Sequence, residues 1–203
     1  MLQHPTPRLI LASASASRRV LLAGAGLRFE VRPADIDEAA VKLDAQAGGM
    51  SIVNAALRLA DLKAAATARL EPEALVIGAD QILVCDGVWY DKPNDIAGAR
   101  EQLGALRGRR HMLATGVVCH QGESRVWHDA AMPCLTMRNF SDDFLDRYLA
   151  AEADTVISTV GAYRLEGRGV QLFDAIEGEH SAILGLPLLP LLSFLRFRRV
   201  LFV

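Results

Sequence analysis

An acid and a lysine stand a short hairpin apart in the middle of this chain. Gly78-Ala79-Asp80-Gln81 follows the apolar run Ala74-Leu75-Val76-Ile77, and Asp91-Lys92-Pro93 comes shortly after. The run is apolar and β-branched without helical spacing, the pattern of a short buried strand. The expectation is a strand that ends on Gly78-Ala79 and presents Asp80 just past its end, where α/β proteins place chemistry. Leu83-Val84-Cys85 reads as a second strand, Asp86-Gly87 as a tight turn, and Val88-Trp89-Tyr90 as the return to Asp91-Lys92. An acid and a cation beside a strand end suit an anionic substrate. A surface ion pair beside a turn is the plainer alternative.

Three other stretches carry chemistry of the same sign. Ser13-Ala14-Ser15-Ala16-Ser17 leads into Arg18-Arg19, and serines are strong helix N-caps. A strand, a serine-rich loop and a helix N-terminus together form an anion pocket, because the first N–H groups and the positive dipole end face outward. Arginines in a first turn oppose the dipole, which makes more sense if Arg18 meets a phosphate; an ordinary capped helix with solvated arginines is the alternative. Lys63 falls on the apolar stripe of Ile52, Ala56 and Leu59. It either snorkels its ammonium to water or reaches into a phosphate pocket. Asp35-Ile36-Asp37-Glu38 offers acids for a metal, or a solvated turn.

The elements that would position these groups alternate between strand and helix. Strands are expected at Arg8–Ala12, Leu27–Arg32, His111–Val118, Val126–Met137 (one long return strand) and Val170–Phe173. Helices are expected at Arg18–Ala25, Ser51–Arg69, Asp95–Leu106 (capped by Asp95 or Asn94), Asp142–Ala151 after the cap Ser141, and from Pro187 onward. Gly161 to Gly167 reads as a glycine-bounded loop. Without a strict βαβ rhythm, this order predicts an α/β fold with a mixed twisted sheet flanked by helices.

With 203 residues and no linker-like run, a single domain over 1–203 is expected. A net charge of −2 provides no basic field for nucleic acid. The isolated Cys85, Cys119 and Cys134 read as buried, reduced thiols of a cytoplasmic protein, and no Cys/His cluster suggests zinc. The apolar segment Ile183–Leu195 is too short and too broken by Pro187 and Pro190 to span a membrane.

Taken in order, these stretches resemble the Maf family of nucleotide pyrophosphatases, named for a link to septum formation. The resemblance runs through Leu9 to Arg19, Ile36-Asp37-Glu38, Arg58-Leu59-Ala60 with Lys63-Ala64, Gly78-Ala79-Asp80-Gln81, Lys92-Pro93, Gly161-Ala162-Tyr163, Glu166-Gly167 and Gly185-Leu186-Pro187-Leu188, which is nearly the whole chain. It implies a mixed sheet with a long nucleotide-binding cleft, and cleavage of a nucleoside triphosphate between the α and β phosphates with a divalent metal, Mg²⁺ or Mn²⁺. It implies Asp80 as proton acceptor and Ser13, Arg18, Glu38, Lys63 and Lys92 along the polyphosphate. Ser17, Gln81 and Glu166 fall on positions that separate branches. The pyrimidine-nucleotide branch has Arg, Thr and Gln there, and the Asp80-Gln81 and Glu166-Gly167 pairs resemble the 7-methyl-GTP pyrophosphatase branch. The expected role is house-cleaning of modified nucleotides, with a homodimer as the assembly the resemblance allows. The other readings are a nucleotide-binding regulator of cell division with little turnover, and an enzyme preferring UTP or dTTP.

Overall fold

The computed structural model describes residues 2–203, apart from the side chain of Asp154. The strands are β1 (Leu9–Leu11), β2 (Glu30–Val31), β3 (Leu75–Cys85), β4 (Val88–Tyr90), β5 (Arg110–Gln121), β6 (Ser124–Ala131), β7 (Cys134–Met137) and β8 (Phe173–Glu177). The helices are α1 (Ala16–Gly24), α2 (Glu38–Ala47), α3 (Ile52–Leu70), α4 (Ile96–Leu106), α5 (Asp142–Val156), α6 (His180–Ile183) and α7 (Leu188–Phe197). The sheet has the order β2-β1-β3-β5-β7-β8, with β4 on β3 and β6 on β5. It is mixed: β1 runs parallel to β2 and β3, whereas β4, β6, β7 and β8 join in antiparallel pairs. Among the described residues no helix is long and apolar enough to cross a membrane.

Two compact units emerge from the tertiary contacts. The first comprises Met1–Asp80, Thr115–Ala131 and Gly185–Val203; the second comprises Gln81–Ala114 and Met132–Leu184. The first has its core in Leu9, Leu11, Leu22, Leu75, Ile77, Val117, Leu191 and Leu195, with Trp127 stacked on Phe194 at 4.9 Å. The second is built on Leu83, Leu103, Leu106, Leu113, Leu135 and Leu172. Each fully buried aliphatic side chain contributes about 1.5–3 kcal/mol relative to exposure. Cys85, Cys119 and Cys134 are buried and free.

Several elements depart from the sequence reading. The expected break at Gly78-Ala79 does not occur: β3 runs on through Asp80 and Gln81 to Cys85. Asp80 therefore lies within a strand, between the residues that pair with β1 (Leu75–Ile77) and those that pair with β4 (Leu83–Cys85). The Asp86-Gly87 turn is as expected, with both residues at positive φ, 48° and 80°, the geometry of a two-residue hairpin loop. The long strand Val126–Met137 is two strands, β6 and β7, broken at Pro133, which has no N–H for a ladder. Residues Arg168–Leu172 form a 3₁₀ turn, so the strand expected at Val170 begins only at Phe173. Helix α2 was not expected; Asp37 caps it by accepting from the Ala40 N–H at 2.9 Å.

One core polar group makes the second unit pH-sensitive. The His111 ring lies beside those of Tyr163 and Phe173, with Nε2 2.8 Å from the Tyr163 hydroxyl and Nδ1 buried without a partner among the described residues. Burial lowers its pKa from 6.5 to about 4. The depressed folded value means that the neutral ring stabilises fully above pH 6.5, and that this is lost as pH falls toward 4. The loss reaches roughly 3 kcal/mol. Urea unfolding at pH 7 and pH 4.5 is expected to show a larger acid loss in the parent than in His111→Gln; equal losses would place the acid sensitivity elsewhere.

Candidate active site

The serine loop folds as an N-terminal cap. The Ser15 hydroxyl accepts from the Arg18 N–H and starts α1. One turn in, Arg18 turns inward while Arg19 stays exposed. The buried Arg18 guanidinium donates through Nε to the Gly185 carbonyl at 2.8 Å and through Nη1 to the Ser13 hydroxyl at 2.9 Å. Burial lowers its pKa, and the charges of Asp80 and Glu38 act against that shift. Both hydrogen-bond partners of the guanidinium are neutral, so donors of its five-donor fork remain to meet an anion. Gly185 is part of this arrangement: at φ +97° a Cβ there would lie 3.2 Å from Arg18 Nε.

The second cluster joins α3, β3 and the start of α2. Ser51 caps α3, whose buried face carries Ala55, Ala56, Leu59, Ala60, Lys63, Ala64, Thr67 and Ala68. The lysine does not snorkel. Its side chain is 9% exposed, and Nζ lies 2.5 Å from Asp80 Oδ1 and 2.8 Å from Glu38 Oε1. Asp80 is 6% exposed, and its second oxygen, Oδ2, is buried with no hydrogen-bond partner among the described residues. Of the acidic turn, Asp37 serves as a helix cap, Asp35 is exposed, and Glu38 reaches the lysine. A group of three or more His, Cys, Asp or Glu that could hold a metal is absent among the described residues. The carboxylates available near Lys63 are those of Asp80 and Glu38.

Ser13, Arg18, Glu38, Lys63 and Asp80 therefore belong to one compact unit and share contacts or fields within it, and the half-buried Ser17 lies in the same unit. Gln81, Lys92 and Glu166 belong to the other. There Lys92 is exposed on the loop after β4. Gln81 donates its amide to the Ala182 and Ile183 carbonyls, at 3.0 and 3.1 Å, which ties down α6. Glu166 lies 3.6 Å from the Arg164 guanidinium. Sequence reasoning missed the Gly185 carbonyl as an Arg18 anchor. Its only signal was a glycine directly ahead of Leu186-Pro187.

Chemically, the first unit presents a buried carboxylate with one oxygen held by an ammonium and one left over, next to a second carboxylate and a buried guanidinium. A family model described as Maf-like protein matches residues 8–197. Among curated relatives, a nucleoside triphosphate pyrophosphatase of Granulibacter bethesdensis is 53% identical, over 97% of this chain and all of the relative. A 7-methyl-GTP pyrophosphatase of Rhizobium meliloti is 48% identical, over 94% of this chain and 96% of the relative. One of the same name from Rhizobium etli is 45% identical over the same shares.

Removing one member of a buried ion pair leaves the other charged and unpaired, at a cost of about 3–5 kcal/mol. Lys63→Met is expected to destabilise by that order in urea unfolding, and Lys63→Met/Asp80→Asn to recover part of it. Lys92→Met, on an exposed loop, is expected to stay within about 0.5 kcal/mol of the parent. A Lys63→Met protein as stable as the parent would show that the ammonium is not held against Asp80.

Proposed function

The chain belongs to the Maf family, and on that footing we propose that it hydrolyses nucleoside triphosphates between the α and β phosphates, with 7-methyl-GTP as the preferred substrate. The single observation that carries the chemistry is the divided environment of Asp80, with Oδ1 on the Lys63 ammonium and Oδ2 buried and unmatched. Lys63 fixes the carboxylate, and Oδ2 is the atom that orients a water and takes its proton. The water oxygen bonds to the α-phosphorus, the bond from that phosphorus to the bridging oxygen breaks, and diphosphate leaves with the bridging oxygen. Such a reaction needs positioning and charge neutralisation more than covalent chemistry. Arg18, with Ser13 behind it, supplies a fork for phosphate oxygens, and Lys92 supplies a further cation.

A divalent cation is part of this reading, and Asp80 and Glu38 are the residues that would hold it. Asp80 and Glu38 make a hard oxygen pair, and Mg²⁺ or Mn²⁺ is commonly held by one or two carboxylates plus substrate phosphates. When bound, such an ion neutralises phosphate charge. A cytoplasmic place and a homodimeric assembly remain part of the proposal.

Base preference rests on hydrogen-bond complementarity at Glu166. Guanine presents N1–H and N2–H₂ side by side, and a carboxylate accepts both. Uracil and thymine present a donor beside an acceptor, which an amide matches better. Methylation at N7 adds positive charge that a carboxylate also favours. Arg164 offsets part of the Glu166 charge, so the preference comes from the hydrogen bonds more than from charge. Ser17 leaves out the cation that the pyrimidine branch places at this position.

Turnover with Mg²⁺ and Mn²⁺ in ¹⁸O-water is expected to put the label in the monophosphate; label in diphosphate would mean attack at the β-phosphorus. Asp80→Asn is expected to lose about 10²–10⁴ in kcat, and the parent rate in that variant would remove Asp80 as the base. The expected order of kcat/KM is 7-methyl-GTP, then GTP, then UTP and dTTP, narrowing or reversing in Glu166→Gln. A parent preference for UTP or dTTP would overturn the assignment.

A further inference from the structure

Two glycines lie under α3, one on each of two neighbouring strands. Gly78 on β3 shares a strand face with Asp80, two residues on. A Cβ at Gly78 would lie 2.1 Å from the Ala60 carbonyl oxygen, 2.8 Å from the Ala64 nitrogen and 2.9 Å from the Ala64 Cβ. A Cβ at Gly116 on β5 would lie 2.8 Å from the Leu57 nitrogen and 2.9 Å from the Ala56 carbonyl carbon. Both obstacles are helix backbone, which cannot swing aside as a side-chain tip can. The helix face opposite is equally bare: Ala55, Ala56, Ala60, Ala64 and Ala68 are all completely buried. Glycine inside a strand weakens it by roughly 0.5–1 kcal/mol relative to alanine, so two at one seam need a reason, and close approach of another backbone is one.

We propose that Gly78 and Gly116 are positioning residues for the hydrolytic reaction: they seat α3 directly on the sheet backbone, and this depth sets Lys63 Nζ on Asp80. The inference rests on the reading of Asp80 as the base. Lys63 lies on the same face of α3 as Ala56, Ala60 and Ala64, so a helix lifted off the seam carries the ammonium away from the carboxylate. A shift of about 1 Å at a catalytic constellation costs on the order of 10²-fold in rate. Other glycines differ. At Gly104 of α4 a Cβ would meet nothing within 4 Å.

The test is a steady-state kinetic double-mutant cycle with 7-methyl-GTP and GTP in excess over enzyme. Gly116→Ala, the milder insertion, is expected to lower kcat about 10- to 100-fold while KM moves less than about threefold. In a Lys63→Met background the same change is expected to alter kcat/KM by less than about twofold, because the group it displaces is gone. Gly104→Ala is expected to leave kcat unchanged. If Gly116→Ala fails to fold, Ala64→Ser, which fills the seam beside Gly78 by one atom, goes through the same cycle with the same expectation. Parent-like kcat in the seam variants, or losses that add to that of Lys63→Met, would overturn the proposal. Asp80→Asn separates the two levels. If it is inactive while the seam losses are additive, only the proposal falls; if it turns over at the parent rate, the reading of the base fails and the proposal falls with it.

Discussion

Two opposite charges taken out of water, Lys63 and Asp80, constrain the rest of the first unit. Desolvating each costs several kcal/mol, and only close contact with good geometry offsets that cost. The contact is 2.5 Å with both side chains nearly fully buried, so it tolerates little displacement of either element. Helix α3 must lie low on the sheet, and the bare seam of alanines and glycines permits that. It must also begin at a defined residue, which the Ser51 cap fixes. The pair is not electrically closed. Glu38 adds a second carboxylate at 2.8 Å, and the buried Arg18 guanidinium feels both acids. These four charges balance, but Asp80 Oδ2 has no hydrogen-bond partner among the described residues and the Arg18 fork has donors beyond its two bonds, and that is the physical basis for reading the cluster as a place for phosphate chemistry.

Much of the cluster was legible because its members violate local rules. A lysine on an apolar stripe and an arginine in a first turn both oppose ordinary preference, and both turned out buried. Composition could not say which of Arg18 and Arg19 turns inward; that depends on the phase of α1, which the Ser15 cap sets. Gly78-Ala79 misled. Inside a strand pattern it reads as a terminus, whereas the structure uses the missing side chain for helix contact and keeps the strand continuous. Helix α2 escaped notice because only Ala45 of it is buried, so it has almost no apolar period. The partners of Gln81 and of Arg18 Nε lie about a hundred residues or more away in sequence, a distance no local pattern reports.

The residues named for the proposed activity fall in both units. The ion pair, the serine loop and the arginine fork that suit the triphosphate all lie in the first, and Gln81, Lys92 and Glu166 lie in the second. Gln81, at a position that separates branches, uses its amide nitrogen on two backbone carbonyls. Glu166 has a carboxylate suited to two adjacent donors, partly balanced by Arg164.

If Asp80 is the base, its Oδ2 faces the scissile phosphate in the substrate complex. A crystal structure with an α,β-methylene analogue of 7-methyl-GTP and Mn²⁺ tests it most directly. The expected result is the α-phosphate beside Asp80, with a water or the ion on Oδ2, the Lys63 contact to Oδ1 intact and Arg18 on the phosphate chain. Phosphates bound away from Asp80, with Oδ2 still buried and unmatched, would contradict it.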